Sequence, residues 1–118
     1  MKQKLINALT GCGFVEGETL FLQGTINPAA AYPETFVTFW TDSTDDNGHF
    51  DNDVVSVDWS FSVILYSSDA GIVNTKPAEI RAALKAAGFI PQGKGTDIMS
   101  DEPTHTGWAM DFIITEYL

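Results

Sequence analysis

The alternation of apolar and polar residues predicts two long strands in the middle of the chain. Residues 34–41 and residues 53–67 are both rich in aromatic and β-branched residues, which favour strands. Between them, Asn47-Gly48 is a strong signal for a two-residue hairpin turn. The second strand has one polar side, formed by Ser56, Asp58, Ser60 and Ser62. The pattern therefore predicts a long hairpin in a sheet with one buried face.

A turn at Asn47-Gly48 fixes which residues of the hairpin face each other. The facing pairs would be Phe36 with Trp59, Thr38 with Val57, and Trp40 with Val55. The same row continues along the second strand with Phe61, Val63 and Leu65. We expect this row to form part of the core, because a slip of one residue would expose it.

Apolar residues at intervals of three and four predict a helix at each side of the hairpin. The first covers residues 1–11 and its apolar stripe is Leu5, Ala8, Leu9 and Cys12. The second covers residues 76–87, with Thr75 as N-cap and Pro77 in the first turn. Its apolar stripe is Ile80, Ala83, Leu84 and Ala87. Glycine follows each helix at positions 13 and 88, with phenylalanine next, a pattern that convergence explains more simply than duplication.

The remaining segments complete a prediction of the fold. Residues 19–23 form a short strand, and residues 108–118 form a last strand with Trp108, Met110, Phe112 and Ile114 on one face. Residues 27–33 are an irregular connection, and residues 90–106 form a long loop or a ragged strand pair. We expect one α+β domain over residues 1–118, with an antiparallel sheet of about four to five strands and two helices packed on one face.

Charge narrows the range of functions. The formal net charge is −10, from 16 acidic and six basic residues, which disfavours binding to nucleic acids or anionic membranes. No apolar run approaches the ~20 residues of a membrane span. The single cysteine, Cys12, lies on an apolar stripe, so we expect a buried structural thiol in a reducing compartment.

The basic residues are unevenly distributed. Residues 5–75 contain ten acidic residues and no lysine or arginine, whereas Arg81 and Lys85 share one solvent-facing side of the second helix. This asymmetry can serve solubility alone. It also fits identical subunits that meet head to tail, with an acidic hairpin against a basic helix, in a heterologous contact.

The acidic hairpin is also a candidate cation site. It carries carboxylates, the ligands that calcium prefers, at Asp42, Asp45, Asp46, Asp51 and Asp53. The spacing does not match an EF-hand, because Ser43 and Val54 would occupy the first and last ligand positions. A solvated hairpin tip and a weak, irregular cation site therefore both stay open.

No other pattern predicts catalysis or a bound cofactor. Gly88, Gly93 and Lys94 match part of a phosphate loop, but Gly95 replaces its hydroxyl residue. His49 and His105 are too few for a metal cluster and are expected at the surface. The aromatic row lacks the interleaved basic residues of a base-stacking platform. We expect no catalytic, cofactor or metal residues.

Three segments carry a resemblance to a known family. These are the tryptophan strand TFVTFWTDS, the strand VDWSFSVILYS, and the helix closed by Gly88-Phe89. In this layout the chain resembles the small tail-terminator and tail-completion proteins of long-tailed bacteriophages. The resemblance covers nearly the whole chain and implies an α+β subunit of a ring, with a hexamer as the suggested size, that caps the tail tube and joins it to the head.

The resemblance also implies partners and a location. The partners would be further copies of the chain, the tail tube protein and the head-tail connector proteins, with no specific nucleic-acid binding and no membrane. The protein would be assembled in the host cytoplasm and located in the tail or neck of the virion. Asp45, Asp46, Asp51 and Asp53 would face the channel, and Arg81 and Lys85 would contact a neighbouring subunit. A head-closure or minor capsid role stays open, as does a small intracellular module that binds a cation or small ligand at the acidic hairpin.

Overall fold

Two helices and a six-stranded mixed sheet form the α+β fold in the described part of the chain. The computed structural model describes residues 1–22, 32–50, 53–100 and 104–118, and the side chains of these except at 47–50 and 53–54. In chain order the elements are α1 (Lys2–Gly11), β1 (Leu20–Leu22), β2 (Thr35–Phe50), β3 (Asp53–Ser67), α2 (Ala70–Ala86), β4 (Ile90–Pro91), β5 (Thr96–Met99) and β6 (Thr106–Tyr117).

The sheet has the strand order β1-β2-β3-β6-β4, and β5 pairs with another part of β6. All pairs are antiparallel except β1 with β2, which are parallel. The predicted α+β class with two helices is confirmed, and the predicted antiparallel sheet of about four to five strands differs from the observed one in having neither the sixth strand nor the parallel pair. Residues 90–106 supply the additional strands, because β4 and β5 each pair briefly with β6.

Both helices contribute to a core on one face of the sheet. On β3 this face carries Phe61, Val63 and Leu65, which lie opposite Phe112, Met110 and Trp108 of β6. The predicted apolar faces of these two strands are confirmed. The buried core residues from the helices are Leu5, Leu9, Ile80 and Leu84, and Phe14 and Phe89 follow the two helix ends.

The predicted hairpin register is wrong. Strand β2 continues through Asn47 and Gly48 to Phe50, so the chain reverses between Phe50 and Asp53, at positions outside the described residues. Phe36 pairs with Tyr66 and Thr38 with Ile64. Because this register changes which residues share a face, β2 gives Val37 and Phe39 to the core. Burial beneath the helices determines the register in place of the local turn preference.

The other face of the sheet carries an aromatic cluster. Phe36 is buried there and stacks on Tyr66 with ring centroids 5.1 Å apart. Tyr32 and His105 pack against the same ring at 5.2 and 5.9 Å. Phe36 and Trp40 thus lie on the opposite face from Trp59 and Phe61, and the predicted row of four aromatic residues does not exist.

Helix α2 begins six residues before its predicted start. Asp69 is the N-cap, and its Oδ1 accepts a hydrogen bond from the Gly71 N–H at 2.8 Å. The prediction of Thr75 as N-cap is wrong, because Thr75 lies inside the helix and its hydroxyl donates to the Gly71 carbonyl. Pro77 is a buried interior residue, which indicates that its packing offsets the lost backbone hydrogen bond.

The two helices end in the same way, as their sequences predict. The Phe14 N–H bonds to the Leu9 carbonyl, and the Phe89 N–H bonds to the Leu84 carbonyl. Gly13 and Gly88 have φ of 99° and 98°, a left-handed conformation that completes a Schellman motif. Neither helix in the described ranges is long and apolar enough to cross a bilayer.

The long hairpin makes the molecule elongated. The extents are 54 × 28 × 23 Å and the radius of gyration is 15.3 Å, against about 13.5 Å for an average chain of this length. Beyond a bulge between Thr41 and Ser43, the hairpin continues from the Ser43–Ser60 pair to the Phe50–Asp53 pair. We call this outer part, residues 43–50 and 53–60, the acidic arm.

Candidate functional site

The acidic arm forms one end of the molecule. Its length is about 23 Å at the usual rise of a strand. Asp45 and Asp46 are exposed on it, and Asp42 is exposed at its base. Asp51 lies outside the described residues, and of Asp53 only the backbone is described, so the predicted channel-facing group is placed in part. With no lysine or arginine in its sequence, the arm presents negative charge only.

A groove of about 490 Å³ runs along the outer side of α2. Its apolar wall includes Pro77 and Ala78, and its positive charges come from Arg81, Lys85 and Lys94. Trp108 closes the groove on the side of β6. We call this feature the basic groove. The structure therefore brings the two predicted residues, Arg81 and Lys85, to one site.

Two further groove residues were not predicted from the sequence: Lys94, on the loop between β4 and β5, and Trp108, on β6. The Trp108 indole N–H donates to the Lys94 carbonyl at 2.8 Å, which holds the loop against the ring. Gly95 has φ of 105°, and a Cβ at this position would clash with Trp108 Nε1 and the Ala109 carbonyl. The two glycines that flank Lys94 were the available signal, although they first suggested a phosphate loop.

The positive charges of the basic groove have no acidic partner within the described ranges. The one ion pair in that part of the chain joins Lys76 to Glu79 at 2.9 Å. Arg81 was predicted to face solvent, but it is half-buried, and its Nε is buried with no hydrogen-bond partner among the described residues. Lys85 is exposed, as predicted. A buried donor without a partner is unfavourable.

The tip of the acidic arm and one side of the basic groove lie at opposite ends of strand β3. Trp108 pairs with Leu65, whereas the tip of the arm begins at Asp53 on the same strand. These positions are separated by about 40 Å at ~3.3 Å per residue. The Lys85 end of the groove lies nearer to the base of the arm, because α2 leads into β4, which pairs with β6 beside Ser60. Since the paired strands of the arm continue away from α2, the arm cannot fold back onto its own groove, and a contact between the two features requires a second molecule.

The two faces of the acidic arm differ in chemistry. Asp46 pairs with Val57, so it lies on the side of the sheet that carries the helices, together with Val55, which is 41% exposed. Asp45 pairs with Asp58 on the opposite side. The Thr115 hydroxyl donates to Asp58 Oδ1 at 2.6 Å. One face is thus mixed apolar and acidic, and the other is polar and acidic.

Two carboxylates converge near the base of the arm. The Ser62 hydroxyl lies 2.7 Å from Asp42 Oδ2 and 2.9 Å from Asp111 Oδ1. Two carboxylates and one hydroxyl fall short of the six to eight oxygen ligands that calcium takes. Within the described ranges, no group of three or more acidic, histidine or cysteine side chains could hold a metal. Cation binding at the tip stays a prediction, because the Asp51 and Asp53 side chains lie outside the description.

The histidine and phosphate-loop candidates do not form a binding site in the described part of the chain. His105 is half-buried and not at the surface, because its Nε2 bonds to the Pro33 carbonyl at 2.8 Å and its ring packs on Phe36. The His49 side chain lies outside the description. After Lys94 the chain enters strand β5, whereas a phosphate loop would begin a helix. The partial motif therefore lacks the geometry of a phosphate site.

Cys12 lies at the contact between the two helices and is half-buried. Lys76 Nζ donates to the Cys12 carbonyl at 2.9 Å and lies 5.4 Å from the centre of the Phe14 ring. Burial raises the pKa of the Cys12 thiol, although the charge of Lys76 acts in the opposite direction. A thiol held protonated is a poor nucleophile, which agrees with the predicted structural role.

Comparison with known proteins gives no relative from which a role could be transferred. The chain matches no family model, and the search of curated proteins finds no match. The acidic arm and the basic groove are therefore the features of the molecule that bear on its function.

Proposed function

We propose that the chain is a structural protein of a bacteriophage tail that ends or completes the tail tube and joins it to the head as a homo-oligomeric ring. The observation that carries this proposal is the separation of charge along the molecule. The arm carries acidic charges only, whereas the basic groove along α2 carries three cations that lack acidic partners in the described part of the chain.

Such polarity favours head-to-tail assembly. When one surface of a subunit binds a different surface of an identical subunit, the contacts form a ring if the rotation closes and a filament if it does not. Complementary charge steers this encounter and disfavours contact between two arms. A protein that caps a tube must form a closed series of subunits, so we propose a ring and not a filament.

The acidic surface also suits a conduit for DNA. In the proposed ring, Asp45 and Asp58 face the lumen, where their negative charge repels the phosphates of a passing DNA molecule. Asp46 lies on the opposite face of the arm, so the proposal does not place it at the lumen. The role requires no catalysis and no cofactor, and the proposed partners are the tail tube protein and the head-tail connector proteins.

Electron microscopy of the purified protein, combined with light scattering, tests the proposal. We expect closed annular particles of uniform diameter and a mass that is a whole multiple of 12.9 kDa. Incubation with purified tail tubes should place these particles at one tube end. A monomer at high protein concentration and low salt would contradict the proposal.

A further inference from the structure

We propose that the basic groove is the receptor for the acidic arm of the next copy of this chain, which inserts the face carrying Asp46, Val55 and Val57. The inference rests on the proposed head-to-tail ring and adds its interface. A contact of this kind uses two different surfaces on each subunit, so every copy contacts one neighbour through its arm and the other neighbour through its groove.

The groove and this face of the arm match in chemistry. Ala78 and Ala82 provide exposed apolar surface, and Arg81 and Lys85 provide positive charge along the same side of α2. On the arm, Val55 and Val57 provide apolar surface beside the exposed carboxylate of Asp46. Apolar contact would bury Val55, and Asp46 would be placed among cations that otherwise have no described partner.

The dimensions of the two features are also compatible. From Asn74 to Lys85 the groove follows α2 for about 16 Å, which is shorter than the ~23 Å of the acidic arm. A volume of about 490 Å³ holds several side chains but not a pair of strands. The arm therefore docks through one face, and its other face, which carries Asp45, lies outside this contact.

Adjacent aspartates provide a matched pair of variants. Asp45 and Asp46 are both exposed, and Asp45→Lys and Asp46→Lys make the same change of charge on opposite faces of the arm. Lys85→Glu reverses a charge in the groove, and Lys2→Glu makes the same change on the exposed start of α1. All four positions are exposed, and circular dichroism verifies that each variant keeps its helix and strand content.

Sedimentation equilibrium then measures the subunit dissociation constant of each variant. Asp46→Lys and Lys85→Glu should each weaken association by about tenfold or more, whereas Asp45→Lys and Lys2→Glu should change it by less than about threefold. The double variant with Asp46→Lys and Lys85→Glu should recover most of the lost affinity, because the two reversed charges attract each other.

The outcomes separate this inference from the proposed function. If the wild-type chain forms rings and Asp46→Lys and Lys85→Glu leave the dissociation constant unchanged, the arm does not dock in the groove and the ring is held by another surface. Equal losses from Asp45→Lys and Asp46→Lys would also overturn the assignment of the docking face. A wild-type chain that stays monomeric overturns both proposals.

Discussion

Individual buried hydroxyl groups differ in whether they have a partner. Thr38 is 3% exposed, and its hydroxyl has no hydrogen-bond partner among the described residues. The Thr35 hydroxyl, near the start of the same strand, pairs with the Ser67 hydroxyl at 2.9 Å. A buried polar group without a partner lowers stability, whereas a paired one contributes to it.

Replacing each threonine with valine should therefore have opposite effects. Thr38→Val removes an unpaired hydroxyl with little change of shape and should raise the free energy of unfolding by about 1 kcal/mol. Thr35→Val leaves Ser67 without this partner and should lower it by about 1 kcal/mol. Urea denaturation measures both. A loss of stability in Thr38→Val would show that its hydroxyl has a partner in the folded protein.

The thiol of Cys12 should give the protein a specific response to alkaline pH. Burial raises its pKa above the ordinary value of 9.0, with a smaller opposing effect of Lys76. The folded chain then holds the proton more tightly than the unfolded chain. The resulting stability is fully present below pH 9.0 and is lost as the pH rises through the folded pKa.

Denaturation at several pH values tests this effect against Cys12→Ala. Between pH 9 and pH 11 the wild type should lose more of its free energy of unfolding than the variant does. In the native protein, alkylation by iodoacetamide at pH 8 should be slower than in the denatured chain. Equal alkylation rates in the two states would contradict a protected thiol.

At the scale of whole elements, the start of α2 is determined by Asp69. Asp69→Ala removes the side chain that accepts from the Gly71 N–H and should lower the free energy of unfolding by about 1 kcal/mol. Thr75→Ala should change it by less than about 0.5 kcal/mol, because the position is helical and exposed. Thermal unfolding of the two variants measures both changes. A larger loss of stability in Thr75→Ala than in Asp69→Ala would show instead that Thr75 is the N-cap of α2, as the sequence predicts.

The elements themselves are largely predictable from the sequence. Helix closure at Gly13 and Gly88 follows from a local pattern, and the bounds of β3 agree with its alternation of apolar and polar residues. The start of α2 was missed because Pro77 is typical of a first turn, yet here it is packed inside the helix. Elements whose ends and faces depend on residues close in sequence can therefore be predicted from the sequence.

The pairing of elements was less predictable, because it depends on long-range burial. Asn47-Gly48 favours a turn, but the register that buries Val37 and Phe39 beneath the helices moves the reversal beyond Phe50. The candidate site was predictable in part for the same reason. Charge asymmetry indicated Arg81 and Lys85, whereas the addition of Lys94 and Trp108 requires the pairing of β5 with β6.

For the molecule as a whole, the account predicts association that depends on salt. Exposed charges about one Debye length apart interact strongly at low ionic strength and are screened at high ionic strength. Raising NaCl from about 20 mM to about 500 mM should shift the sedimentation profile from assembled particles toward smaller species. Association that strengthens with salt would instead indicate a contact dominated by apolar surface.

The most direct test of head-to-tail contact is to mix two variants with weakened self-association, at a protein concentration at which neither assembles alone. Asp46→Lys has an altered arm and an intact groove, and Lys85→Glu has an intact arm and an altered groove. In an equimolar mixture, residue 46 of each variant can meet a residue 85 of opposite charge on the other variant. Sedimentation velocity should therefore show small species for each variant alone and assembled particles for the mixture. A mixture that sediments as the sum of its two unassembled components would contradict the account.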